Sequence, residues 1–398
     1  MTYRKIVFLN THPIQYFAPM YQEMSAAGVF DFEVWYCTRH GLNAEVDKQF
    51  GKAVQWDIPI LEGYPHRFLE NHARNPSIYT RWGILNLHIF REIFRLPKKS
   101  AVVVFGWNNF TYLAAVLACK LSGHAAFIRS ENPFLKEKQR RGFISRLQRR
   151  LLQHVLFPMV ERFLYIGDQN KKFYQRYGVA DSKFIFSPYS VDNNRFSRQA
   201  EELSGQRQRI RAELGLPPDK KIILFTGKFI PVKRPLDLVE AFHRAGLSDA
   251  LLVMVGDGEL KNEINAKIAG YHLNENVLLP GFVNQSEISR YYAVADVLVL
   301  CSESETWGLS VNEAMNFGLP VIVSDMVGCG ENLVREGENG FIFPTGDTDQ
   351  LAEKLRWVLQ NDDWRERASD ISKKIVETYS YKTTIRNIAA LCHEKTGF

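Results

Sequence analysis

One pattern restricts this chain more than any other. Short, unbroken runs of β-branched and aromatic residues recur, with stretches of helical period between them. In the first half the runs are KIVFLN (5–10), FEVWYC (32–37), AVVVFG (101–106), AAFIRS (125–130), FLYIG (163–167) and KFIFS (183–187). The series restarts with KIILFTG (221–227). It continues through ALLVMVG (250–256), NVLLPG (276–281), VLVLC (297–301), PVIVSD (320–325) and FIFP (341–344). Strands that alternate with helices pair in parallel through βαβ units. Runs that are apolar throughout, instead of at every second residue, suit strands covered on both faces. The expectation is an α/β protein with two doubly wound Rossmann-like domains facing across a cleft. A polar stretch from Ser197 to Lys221, closed by Leu216-Pro217-Pro218, reads as the connector. The expected division is 1–196, 197–378, and a C-terminal helix over 379–398 that crosses back onto the first domain.

At 398 residues, 45% apolar and 24% charged, the chain has the composition of an ordinary globular protein with room for large cores. Its five cysteines are scattered and form no C-x-x-C pair, which speaks against a disulfide frame or a zinc site. The opening apolar run is too short for a signal peptide, and no run approaches membrane-spanning length. The expected location is cytoplasmic, with peripheral contact to the inner face of the cell membrane. The net charge of +6 lies almost wholly between Lys136 and Arg150, where seven basic residues meet one acid, Glu137. An anionic partner surface should meet that segment.

Ligands of open α/β sheets sit beyond the carboxyl ends of the strands, so the chemistry belongs in strand-to-helix loops. Three such loops stand out in the second half. Gly227-Lys228-Phe229-Ile230-Pro231-Val232-Lys233-Arg234 places cations between a strand and a helix, where a diphosphate would be met; a solvated basic turn is the plain alternative. Gly256-Asp257-Gly258 is a tight turn through which backbone can approach a ligand, or merely a packing turn. Cys301–Asp325 carries Glu305, then Gly308, then a helix with Glu313 inside it. Amides of Trp307, Gly308 and Leu309 at that helix start form an anion site. Carboxylates eight residues apart suit the hydroxyls of a sugar and a ribose.

Taken in order, this array resembles the family-4 retaining glycosyltransferases of the GT-B fold. They carry a basic pair after the first strand of the second domain, a G-D-G turn, an E-x7-E motif, G-x-P-V-I, and a later N-G-F/L-x-x-P. Here these are Lys228 and Lys233, Gly256-Asp257-Gly258, Glu305 to Glu313, Gly318-Leu319-Pro320-Val321-Ile322, and Asn339-Gly340-Phe341-Ile342-Phe343-Pro344. Pro188-Tyr189-Ser190-Val191-Asp192 with Arg195-Phe196 is similar to the family's interdomain signature. The resemblance implies a catalytic group of Glu305, Lys233, Lys228 and Glu131. It implies a donor site of Gly227, Lys228, Lys233, Val283 (with Phe282, at the nucleobase), Glu305, Trp307, Gly308, Leu309 and Glu313. Two departures matter. Lys228 stands where the family often has Arg, a point charge in place of a fork. Phe127-Ile128-Arg129-Ser130-Glu131 lacks the family's usual His, for which Arg129 or Glu131 would substitute. His12 and Gln15, in the loop after the first strand, join Arg129 and Glu131 as cleft or acceptor candidates, against a purely structural role.

The implied activity is transfer of a sugar, with retention, from a UDP- or GDP-linked donor to a saccharide or lipid-linked saccharide in polysaccharide or glycolipid synthesis. No metal and no other cofactor are implied. The alternatives are a GT-B-like nucleotide-sugar epimerase and a non-catalytic partner subunit. In 136–157, Phe143, Ile144, Leu147, Leu151, Leu152 and Val155 fall at helical spacing among cations. Either this stripe faces the first-domain core, or it meets an anionic membrane surface. Without an aromatic stacking platform, nucleic acid is not an expected partner.

Overall fold

The structure, a computed structural model, describes residues 2–42, 45–47, 52–54, 58–140 and 142–392. The chain divides into two compact units. The first is Met1–Ala44, Pro59–Tyr189 and Tyr381–Phe398; the second is Glu45–Ile58 and Ser190–Ser380.

The first unit holds a seven-stranded parallel sheet of β1 (Lys5–Asn10), β2 (Asp31–Tyr36), β5 (His66–Phe68), β6 (Ser100–Val104), β7 (Ala125–Arg129), β8 (Arg162–Tyr165) and β9 (Phe184–Phe186). Its order is β5-β2-β1-β6-β7-β8-β9. A separate antiparallel hairpin joins β3 (Glu45–Asp47) and β4 (Lys52–Val54). The second unit is a six-stranded parallel sheet ordered β12-β11-β10-β13-β14-β15. Its strands are β10 (Lys221–Thr226), β11 (Ala250–Val255), β12 (Val277–Gly281), β13 (Val297–Leu300), β14 (Val321–Ser324) and β15 (Gly340–Phe343). β6, β11, β13 and β14 are buried at every residue, as continuous apolar runs require. One core gathers around Trp35, Ile128 and Phe163, another around Ile223, Met254, Val299 and Leu355.

All twelve expected runs are strands. β5 and the hairpin were not foreseen: HRF, EVD and KAV are short and contain no continuous apolar run. The expected connector is also corrected. The boundary falls between Tyr189 and Ser190, and the polar stretch folds as helices Asn193–Glu202 and Arg207–Glu213 within the second unit. Asp192 caps the first of these by accepting from the Arg195 amide (2.9 Å). Phe196 is fully buried, and Ser197 Oγ donates to Asn316 Oδ1 (2.9 Å). The polar composition comes from the solvent face of packed helices. Helix Tyr381–Ala389 belongs to the first unit, where Tyr381 Oη donates to the Tyr16 carbonyl (2.8 Å) and Asn387 Nδ2 to that of Phe186 (2.7 Å). The last six residues of the expected tail helix lie outside the described residues.

Candidate functional site

Each sheet has a switch point where its strand order reverses, between β1 and β6 in the first unit and between β10 and β13 in the second. Such points are where doubly wound sheets take ligands.

In the second unit the loop after β10 begins at Gly227, and the loop after β13 carries Glu305. These are the two loops singled out for cations and carboxylates. They touch: Lys233 Nζ is paired with a carboxylate oxygen of Glu305, both side chains being mostly buried. The Glu303 amide donates to the Val232 carbonyl (3.0 Å), tying the loops together. Arg234 is turned away in a left-handed conformation (φ 49°). There it binds Asp237 (2.6 Å) and Glu303 (3.2 Å), so it braces the loop. Lys228 is half-buried, directly beyond β10.

Gly308 opens helix Leu309–Asn316 at φ 105°, a conformation costly for any side chain. Of the three amides assigned to an anion, those of Trp307 and Gly308 lie just before this helix and that of Leu309 opens it, while the Val311 amide donates to the Gly308 carbonyl (2.9 Å). One turn in, Glu313 is 3% exposed, and Tyr292 Oη donates to its Oε2 (2.7 Å). Tyr292 also meets Thr226 at the end of β10 (3.3 Å). Trp307 is fully buried, its indole N–H donating to Asn312 Oδ1 (2.8 Å). Trp307 therefore anchors the loop from the core side. Cys329 packs under the loop, and burial, then the Glu305 charge, push its thiol well above the ordinary range. It is held as a thiol, not a nucleophile.

The G-D-G turn follows β11. A Cβ on Gly256 would fall on the carbonyl oxygen of Gly227, far inside contact distance. The turn's glycine thus allows the β10 and β11 loops to pack, with Gly227 N donating to Val255 O (3.0 Å). Phe282 and Val283, both half-buried, follow β12. Gln285, two residues on, is gripped by Arg195 (2.6 and 3.3 Å).

In the first unit the loop after β1 holds His12 and Gln15. Thr11 Oγ1 and His12 Nδ1 are 2.8 Å apart, and His12 stands edge-on to His40. Burial, then the His40 charge, pull the His12 imidazole down to about 4, so it is neutral at pH 7. Gln15 is buried, and its Oε1 has no hydrogen-bond partner among the described residues. At the end of β7, Arg129 is 3% exposed. Its guanidinium lies over the rings of Phe17 (4.9 Å), Tyr189 (5.0 Å) and Phe105 (5.7 Å). Glu131 is 4.0 Å from Nη1, beyond hydrogen-bond range, and Arg129 Nε and Nη1 have no hydrogen-bond partner among the described residues. Glu131 is itself engaged with Tyr189, whose phenol is held well above its ordinary range by burial, then by the Glu131 charge. Of the two substitutes for the missing His, Arg129 is the one with donors to offer.

One contributor carried no sequence signal: Tyr292 reads as an ordinary core aromatic in ISRYYAVADVLVL. Arg195 stood out only as part of the interdomain signature, without its partner Gln285. Away from these loops, Glu70, His72 and His88 bring ligand atoms within 4.8 Å of one another. They involve no residue assigned to the transfer site.

The family model described as "Glycosyl transferases group 1" matches residues 206–375. That stretch is similar to a glycosyl transferases group 1 domain. It contains β10 to β15 and every second-unit residue described above except Arg195 and its neighbours. Curated relatives agree. The chain is 32% identical over 202 residues to the sulfoquinovosyl transferase SQD2 of Arabidopsis thaliana, covering 50% of this chain and 38% of that protein. It is 25% identical over 331 residues to the Escherichia coli UDP-Gal:alpha-D-GlcNAc-diphosphoundecaprenol alpha-1,3-galactosyltransferase, covering 81% and 82%. Across five of the relatives the match spans only 38–52% of their own length. Among solved structures, Anabaena HepE in complex with UDP superposes with a TM-score of 0.73 at 16% identity, covering 97% of this chain and 98% of that one. WaaG, a glycosyltransferase involved in lipopolysaccharide biosynthesis, gives 0.67 at 17%, covering 98% and 100%. At such identities the likeness shows the fold, which is GT-B.

Proposed function

We propose that the chain transfers a sugar, with retention and without a metal, from a nucleoside-diphosphate sugar to a saccharide or lipid-linked saccharide. It would do so in glycolipid or polysaccharide synthesis, with its basic segment 136–157 at an anionic membrane surface. The observation that carries the reading is the pairing of Lys233 with Glu305 beside the start of helix Leu309–Asn316, at the switch point of a group 1 domain. The names of the relatives in E. coli and Arabidopsis support the substrate class.

The bond that breaks joins the anomeric carbon to a phosphate oxygen. Negative charge grows on the diphosphate and positive charge on the sugar ring. In this reading Lys228, Lys233 and the amides of Trp307, Gly308 and Leu309 stabilise the diphosphate. Glu313, held by Tyr292, accepts from ribose hydroxyls. Glu305 accepts from hydroxyls of the moving sugar once the donor diphosphate draws Lys233 away. The acceptor hydroxyl attacks the face the phosphate leaves, and its proton passes to the leaving phosphate oxygen.

The test is nucleoside diphosphate release from a panel of UDP-, GDP- and ADP-sugars, with and without acceptor. Acceptor-dependent release that survives a chelator, with a product anomer matching the donor, is the expected result. Donor isomerisation without release would replace this reading by an epimerase, and silence across the panel by a non-catalytic partner.

A further inference from the structure

Helix Phe143–Leu151 is built the wrong way out for a soluble protein. At 3.6 residues per turn, Phe143, Ile144, Leu147 and Leu151 share one arc of the helix. In a surface helix that arc faces the core. Here it faces outward: Phe143 is 73% exposed, Ile144 71%, Leu151 52% and Leu147 47%, and the helix has no buried residue. The side turned inward carries Ser145 and Arg149. Arg149 binds Glu137 (2.8 Å), which is 3% exposed, and Arg140 approaches the same carboxylate (3.6 Å). The only acid of the basic segment is therefore withdrawn from the surface. What remains outside is the apolar arc, with Arg146 and Arg150 along one edge and Lys136 and Lys138 nearby, all four exposed. A single π turn, Leu152–Leu156, follows. It re-aims the chain, so that Leu156 and Phe157 enter the core while Val155 stays out at 55%.

An apolar arc left uncovered is unfavourable, and one edged by cations with its acid hidden has a defined complement. A water-soluble protein partner would satisfy the arc but not the one-signed edge. The phosphate-to-acyl boundary of a bilayer satisfies both: side chains of this size enter the acyl region while arginines hold phosphates. We propose that helix Phe143–Leu151 lies in the interface of an anionic phospholipid bilayer, with Phe143, Ile144, Leu147 and Leu151 inserted and Arg146 and Arg150 on headgroup phosphates. This deepens the membrane contact of the reading above by making it insertion, not electrostatic adsorption alone. It needs no sugar transfer, so either can fail without the other.

The experiment uses the full chain with phosphatidylglycerol-containing vesicles and with pure phosphatidylcholine vesicles, at physiological salt. Partition onto the anionic vesicles is expected to be at least about tenfold greater. The variant Phe143→Ser/Ile144→Ser/Leu147→Ser/Leu151→Ser alters only exposed side chains, so its unfolding temperature should match the parent while its partition falls at least about tenfold. Arg146→Glu/Arg150→Glu should lose the anionic preference. Three outcomes overturn the proposal. One is equal binding to both vesicle types. Another is retained binding by the folded serine variant. The last is an oligomer that the serine variant dissolves while neither protein binds vesicles, which makes the face a contact between copies.

Discussion

Glu305 and Lys233 neutralise each other in this structure, and the proposed donor site requires that pair to be exchanged for substrate. Glu305→Gln keeps the shape and removes the charge; Lys233→Ala removes the cation. Each should lower turnover by roughly 10²–10³-fold, the scale for losing one preorganised electrostatic group. Nucleoside diphosphate release, alongside an unchanged circular dichroism spectrum, checks it. Tyr292→Phe leaves Glu313 buried without its hydroxyl donor. The expected result is about a tenfold rise in KM for the donor with kcat less affected, since the net worth of one such bond is about 1–1.5 kcal/mol. Steady-state kinetics separates the two constants. His12 makes a prediction about pH. Its folded imidazole titrates near 4 against an ordinary 6.5, so the unfolded chain takes the proton first as pH falls. The stability His12 contributes is present above about 6.5 and is lost progressively toward about 4. Urea midpoints measured across that window should fall more steeply for the parent than for His12→Gln.

The elements that matter most are short, and their glycines set them. Gly308 must take a left-handed φ for helix Leu309–Asn316 to begin where it does. A Cβ there would also lie 3.1 Å from Val327 Cγ1. Gly308→Ala should destabilise the second unit by about 1–3 kcal/mol and weaken binding of the proposed donor at the helix start. Differential scanning calorimetry and donor titration together test both halves of that statement. Other family motifs serve the frame. Asn339 is fully buried, its side chain spanning the Leu333 carbonyl and the Arg335 amide. Gly340 lies where a Cβ would strike the Val321 carbonyl. These motifs keep β14 and β15 in register behind the site. Spacing alone cannot tell a residue that touches ligand from one that lets two backbones meet.

For the whole molecule, the C-terminal segment is the clearest long-range commitment. Residues 381–392 complete the first unit although the second-unit segment Ser190–Ser380 separates them from the rest of it in the chain. The Tyr3 amide donates to the Leu391 carbonyl (3.0 Å), and Ile385 and Ile388 are buried. A chain ending at Ser380 should show its first unit melting earlier while the second keeps its transition; calorimetry with two resolved peaks would record it, and a single undisturbed transition would contradict it. Across the described residues no helix is long and apolar enough to cross a membrane.

The sequence by itself determined twelve of the strands and the parallel α/β class, and it singled out the loops proposed to carry the chemistry. Each of those is a local signal: an apolar run, a glycine after a strand, a carboxylate at fixed spacing from a helix start. Tertiary structure decided the rest. It took Glu137 and Arg149 inward and left Phe143, Ile144, Leu147 and Leu151 outside, against the usual rule for an amphipathic helix. It folded a polar apparent linker into the second unit, recruited Tyr292 to Glu313, and framed Arg129 with three aromatic rings while Glu131 turned to Tyr189. None of these has a period or spacing, because each joins residues from different elements. Only the packing of the sheets and helices brings such partners within reach.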